Sequence, residues 1–123
     1  MNPVIHFQMP YEDKKRVSAF YEKAFGWRMQ EMAPEMGGYI TAETSKSDPK
    51  TMRPLKTGVI NGGFYKKMED PRSHLVNVVI AVDDIEVHIE KVKKAGGTIT
   101  EEPQPIPNVG LFVMFTDPEG NRV

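Results

Sequence analysis

His6 and Gln8 stand two apart in the segment Val4-Ile5-His6-Phe7-Gln8-Met9. A strand there puts an imidazole and an amide on one face and Ile5, Phe7 and Met9 on the other. A neutral imidazole near pH 7 can move a proton, bind a divalent cation or hydrogen-bond a ligand. An amide beside it can donate to a carbonyl and accept from a hydroxyl. His6 reads first as a hydrogen-bonded residue on a site wall. Direct ligand contact and metal binding are its rival roles, and no carboxylate can be named beside it as an orienter for base catalysis. His74 follows a charged stretch and His88 falls on a helical stripe, so the three histidines do not form a spaced metal motif. The chain has no cysteine, which removes thiolate nucleophiles, disulfides and cysteine metal sites. Gly62-Gly63 and Gly96-Gly97 lack the spacing and the following helix of a phosphate cradle. No serine or threonine sits in a nucleophile elbow. What remains is hydrogen-bonding chemistry. Burying an amide without a partner costs about 1–3 kcal/mol, so Gln8, Asn61 and Asn77 each bond within the sheet or line a ligand site, Asn61 also standing where two glycines favour a turn or bulge.

The elements that carry these residues follow from local pattern. The first strand ends near Pro10, and Glu12-Asp13 opens a helix at its positive end. Val17, Phe20, Tyr21, Ala24 and Phe25 form its apolar stripe and Gly26 its left-handed stop. Strands are predicted over residues 27–32, 39–44 and 58–65. Trp27, Met29, Met32 and Met36 pack a core or contact a flat ligand. Gly62-Gly63 marks a bulge or a close backbone approach. Between the third and fourth strands, Ser45 to Thr57 carries Lys46, Lys50, Arg53 and Lys56 against the single acid Asp48. It reads as a solvated surface loop, with closure over an anionic ligand as the alternative.

The same order returns 71 positions later, superposing Asp13 on Asp84, Ala24 on Ala95 and Gly26 on Gly97. Where the first copy has His6, the second has Asn77. Leu75 to Val82 is almost continuously apolar, the pattern of a strand buried on both faces. A helix with the stripe Ile85, His88, Ile89 and Val92 follows, then a strand at 98–101. Residues 102–108 carry three prolines and read as a rigid, non-helical connection. A strand at 110–116 and a turn at Asp117-Pro118-Glu119-Gly120-Asn121 lead to Arg122-Val123, the start of a last strand. The pattern predicts one domain over residues 1–123, with repeat units of about 1–66 and 74–123.

With 39% hydrophobic and 27% charged residues the composition is that of a soluble globular protein. A formal charge of −1 gives no reason to expect nucleic acid or a membrane surface as a partner. Without a leader or a long apolar run, the expected setting is cytoplasmic.

The stretches HFQMPYEDKKRVSAFYEKAFGW, VDDIEVHIEKVKKAGG and FTDPEGNRV, in this order and spacing, resemble the glyoxalase, bleomycin-resistance and extradiol-dioxygenase (vicinal oxygen chelate) superfamily. The resemblance implies an α+β fold in which two βαβββ repeats form a cupped mixed sheet around a small-molecule site, commonly in a homodimer. It implies a small-molecule ligand in the cup, where the polar strand residues His6, Gln8, Asn61 and Asn77 are the expected contacts. Metal-using members place a ligand on the first strand of each repeat and glutamates on the last strands. His6 matches the first position. Asn77 replaces the second, Asn61-Gly62-Gly63-Phe64 offers no carboxylate at the third, and the fourth position falls beyond Val123. The expectation is therefore a binding protein with no cofactor, with a divalent metal at His6 as the alternative. The rivals are a metal-dependent lyase or isomerase of the glyoxalase type, or a dioxygenase-like activity, and a drug-sequestering or regulatory domain.

Overall fold

The alternation around His6 becomes strand β1 (Val4–Tyr11) in the computed structural model, which describes residues 1–123. It is followed by α1 (Lys14–Phe25), β2 (Arg28–Glu31), β3 (Ile40–Glu43), β4 (Asn61–Lys66) and β5 (Asn77–Ile80). These strands form one mixed sheet in the order β2-β3-β4-β1-β5. β1 lies parallel to β4, while β2 and β4 each run antiparallel to β3. A parallel neighbour needs a crossover, and here α1 and the two strands after it supply it. The fold is α+β, with a mixed sheet built from repeated β–α–β units. The chain divides into two compact units, Ile5–Val79 and Met1–Val4 with Ile80–Val123.

β1 runs one residue past Pro10, where a stop was expected. The Tyr11 carbonyl accepts from the Lys67 N–H at 2.9 Å, so Tyr11 turns its backbone groups toward the β4 side. Pro10, one residue earlier, turns its missing N–H the other way and costs that ladder nothing.

Asp13 caps α1 by accepting from the Arg16 N–H at 2.9 Å, and Asp84 caps α2 (Ile85–Lys94) by accepting from the Val87 N–H at 3.1 Å. The two caps stand at the repeat offset. The helix stops differ. Gly26 takes φ 68° at the end of α1, whereas Gly96, not Gly97, turns left-handed after α2 with φ 98°. Gly97 is needed for another reason: a Cβ there would lie 2.6 Å from a Val92 methyl.

The sheet has a covered face and an open one. Tyr11, Ile40, Ala42 and Phe64 are buried on the first, with Phe7, Met9, Val17, Tyr21, Trp27 and Met29 packed against them. Tyr21 stacks on Trp27 with centroids 4.7 Å apart and meets Phe64 at 5.1 Å. Trp27 and Met29 are thus core residues. The α1 stripe is wider than the sheet can cover, leaving Phe20 and Phe25 more than half exposed. The strand from Leu75 is likewise shorter and less buried than its sequence suggests. Leu75, Val76, Val78 and Ile80 are exposed, because β5 lies at the end of the sheet with a neighbour on one side only.

In the second unit, Ile89 and Met114 are buried. β6 (Thr98–Ile99) pairs antiparallel with β9 (Phe115–Thr116), and β7 (Gln104–Ile106) forms a hairpin with β8 (Gly110–Phe112). The proline-rich connection thus holds a strand. Pro105 is tolerated there because a two-stranded ribbon has a free edge for the missing N–H. The single strand expected over 110–116 is split, its halves pairing with different partners. Arg122 bridges to Thr116, and Val123 exchanges two 2.9 Å backbone hydrogen bonds with Phe115. The turn before them is closed by Asp117, which accepts from the N–H groups of Glu119 and Asn121.

Candidate functional site

Cross-strand partners share a face, so the register assigns the open face. His6 pairs with Asn61 and Gln8 with Gly63 across β1 and β4, and Gly63 pairs with Thr41 of β3. Tyr39, two residues before Thr41, belongs to the same face. Its ring lies over Gly63: a Cβ at that glycine would come within 1.9 Å of the Tyr39 hydroxyl. The hydroxyl reaches His6 Nε2 at 2.9 Å, and Gln8 shares this face two residues along β1. On the covered face Phe7 lies over Gly62 in the same way, a Cβ there falling 2.2 Å from its ring. The register through both glycines is continuous. The pair is therefore not a bulge; each glycine admits an aromatic ring, one on either face of the sheet.

The resulting His6–Tyr39–Gln8 group is neutral. Burial lowers the His6 pKa below its usual 6.5, and burial pushes the Tyr39 hydroxyl up to about 12, against a weaker opposing effect of the nearby Gln8 amide. Between a protonated phenol and a neutral imidazole the 2.9 Å bond runs in the direction set by the imidazole tautomer.

The histidine carries a pH dependence. Its folded pKa lies below the unfolded value of 6.5, so the unfolded chain binds more protons in that interval. The stability this neutral histidine permits is whole above pH 6.5 and is lost as pH falls through the lowered folded value. Urea midpoints from pH 7.5 to 5 are expected to drop in the parent chain and to drop less in His6→Gln. Equal slopes in the two proteins would contradict a buried neutral His6.

The other residues singled out by sequence do different things. Asn61 Oδ1 accepts from the Thr44 N–H at 3.0 Å and its Nδ2 donates to Ser47 Oγ at 2.7 Å, so it ties the loop after β3 to the sheet. Asn77 is buried on β5, 6% exposed, with an Oδ1 that has no hydrogen-bond partner. It makes no hydrogen bond to the His6 group. His74 bonds the Met68 carbonyl, and His88 bonds the Asp84 carbonyl and the Asn2 side chain. Tyr39 was missed in the sequence. Its signal was the glycine opposite: a Gly in a strand interior often marks the close approach of another group.

Two polar groups of this face already have partners. His6 Nε2 is engaged by Tyr39, and Glu43, the carboxylate of this face, is held by Arg28 at 3.1 Å and by the Ser47 N–H at 2.9 Å. No three His, Cys, Asp or Glu side chains come together anywhere in the chain. Two surface depressions of about 310 and 690 Å³ lie instead around Tyr11, Glu12 and Asp13 at the start of α1, away from His6, Gln8 and Tyr39. Some charges at their rims are paired, Lys67 with Glu12 and Lys14 with Glu31. The neutral group on the open face is the better candidate. No helix is long and apolar enough to cross a membrane.

Residues 4–123 match the profile of the glyoxalase/bleomycin resistance protein/dioxygenase superfamily. A glyoxylase-like domain-containing protein of Didymella fabae is 33% identical over 117 residues, which are 93% of this chain and 84% of that protein. The Arabidopsis thaliana protein named "Probable lactoylglutathione lyase, chloroplastic" is 27% identical over 119 residues. That match takes in 96% of this chain but 33% of the longer relative. In three dimensions the chain is similar to a hypothetical protein of Bacillus halodurans, with a TM-score of 0.63 at 20% identity, covering 97% of this chain and 86% of the other.

Proposed function

Because the chain belongs to the glyoxalase/bleomycin resistance protein/dioxygenase superfamily, we propose that it binds a small molecule on the open sheet face through His6, Tyr39 and Gln8, without a complete metal site. The observation that carries this reading is the neutral three-residue group itself. An amide, a phenol kept protonated and an imidazole kept neutral offer donors and acceptors but no charge, a set suited to a carbonyl or hydroxyl. A ligand carbonyl can accept from the Gln8 amide or, in place of His6, from the Tyr39 hydroxyl, which releases His6 Nε2 to accept from a ligand hydroxyl. Asn61 supports the site by fixing the loop beside it, and Asn77 offers an unpartnered amide oxygen on the edge strand.

Lyase chemistry is the rival reading, suggested by the name of the Arabidopsis relative, and with a metal at His6 it would be metal-dependent. The engagement of both Glu43 oxygens, by Arg28 and by the Ser47 N–H, weighs against it. Isothermal titration with Zn²⁺, Ni²⁺, Mn²⁺ and Fe²⁺ separates the two. The expectation is no stoichiometric binding tighter than about micromolar, the −8 kcal/mol level. A one-to-one site tighter than that, abolished by His6→Ala, would overturn the metal-free reading.

A further inference from the structure

The four cations of the loop after β3 have no role in the site described so far. Lys46, Lys50, Arg53 and Lys56 face one acid, Asp48, so the loop carries a net +3 in a chain whose total is −1. None of the four takes part in an ion pair. Asp48 does not neutralise them. Its carboxylate is spent on the loop's own backbone, accepting from the Lys50 N–H at 2.9 Å and the Thr51 N–H at 2.8 Å, and those bonds hold its pKa down.

The loop is also preformed. Ser47 bridges to Pro54, the Leu55 N–H donates to the Lys46 carbonyl at 2.9 Å, and the Met52 N–H donates to the Asp48 carbonyl at 2.8 Å. Met52 is held at φ 56°, a conformation that costs a residue with a side chain energy and persists only where surrounding bonds impose it. The foot of the loop rests on the open face. Ser47 bonds both Asn61, the register partner of His6, and Glu43. Ser45 Oγ, at the same foot, is buried without a partner.

We propose that residues 45–57 form the anion-binding wall of the open-face site, so that its ligand is a small molecule with a carbonyl or hydroxyl at one end and a phosphate or carboxylate at the other. The inference rests on the reading that His6, Tyr39 and Gln8 bind the uncharged end. Four unpaired cations on an ordered loop attract an anion without first breaking internal salt bridges, and Arg53 can fork onto two of its oxygens. The absence of charge at His6 and Tyr39 then sorts the two ends of the ligand.

A matched set of probes tests it on the full chain labelled with ¹⁵N: dihydroxyacetone, dihydroxyacetone phosphate and 4-oxopentanoate. The expected result is that the phosphate form binds at least tenfold more tightly than neutral dihydroxyacetone, shifting amides at both Lys50–Arg53 and His6–Gln8. The double variant Lys50→Glu, Arg53→Glu should erase that difference while the neutral probe binds as before. 4-Oxopentanoate tells whether a carboxylate serves as well. Equal affinity for the neutral and charged probes, both at His6, overturns the anion wall and leaves the open-face site standing. Shifts at the loop with none at His6, Gln8 or Tyr39 overturn the open-face reading and this inference with it. Equal shifts at the unpaired Lys91 and Lys94 of α2 reveal an adventitious ion only and overturn the inference.

Discussion

Gly63→Val is expected to expel Tyr39 from the open face and to abolish ligand binding there. The first carbon of any side chain at this position would lie 1.9 Å from the Tyr39 hydroxyl, so the ring must leave or the sheet must move. Overpacking of this kind costs about 1–3 kcal/mol. The larger consequence is chemical. His6 loses the hydroxyl on its Nε2 and the ring that shields it from water. Its pKa should climb from the lowered folded value back toward 6.5, because burial is what depresses it. Tyr39→Phe is the informative companion. It keeps the ring and the burial but removes the hydroxyl, leaving His6 Nε2 unpaired at a cost of about 1–3 kcal/mol. Histidine titration followed by NMR should therefore show His6 raised in Gly63→Val and still low in Tyr39→Phe, with ligand affinity down at least tenfold in both. A Gly63→Val protein with an unchanged His6 titration and unchanged stability would remove the basis for the site.

The second large effect concerns the covered face. Phe64 is 1% exposed on β4 and meets Tyr21 at 5.1 Å in the cluster that fixes α1 to the sheet. Phe64→Ala should cost about 3–5 kcal/mol, the lost transfer energy plus the cavity left behind. Against a total of about 5–15 kcal/mol for an ordinary domain, that brings the chain close to unfolding. Phe25→Ala is the contrast. Phe25 lies 5.8 Å from the same tyrosine but is largely exposed, and its loss should stay within about 1 kcal/mol. Urea unfolding of the two variants measures both. Similar midpoints would mean that the covered face is not the core that its burial describes.

Much of the candidate site was legible in the sequence, but not its centre. His6 and Gln8 could be placed on one face because strand alternation is a local property of the chain. Asn61 was found as a polar residue beside two glycines, but its partners, Thr44 and Ser47, are brought to it by the β3–β4 pairing, a contact of residues 14 to 17 positions apart. Tyr39 is 33 positions from His6. No local pattern connects them. Gly63 was noticed for the right reason, a close approach, but the approaching group could not be named before the register was known.

The amino-acid sequence by itself determined the two helices, most of the strands and the family, because caps, stops and apolar periodicity act within a few residues. Asp13 and Asp84 cap their helices as their spacing requires. Tertiary structure alone decided which faces were covered and which polar groups met. It left Phe20, Phe25 and the β5 residues exposed, since burial depends on what lies opposite rather than on hydrophobicity. It also set Tyr39 over Gly63 and against His6. Residues far apart in sequence meet only where strand register places them, and that register set a phenol against the imidazole of a polar strand face.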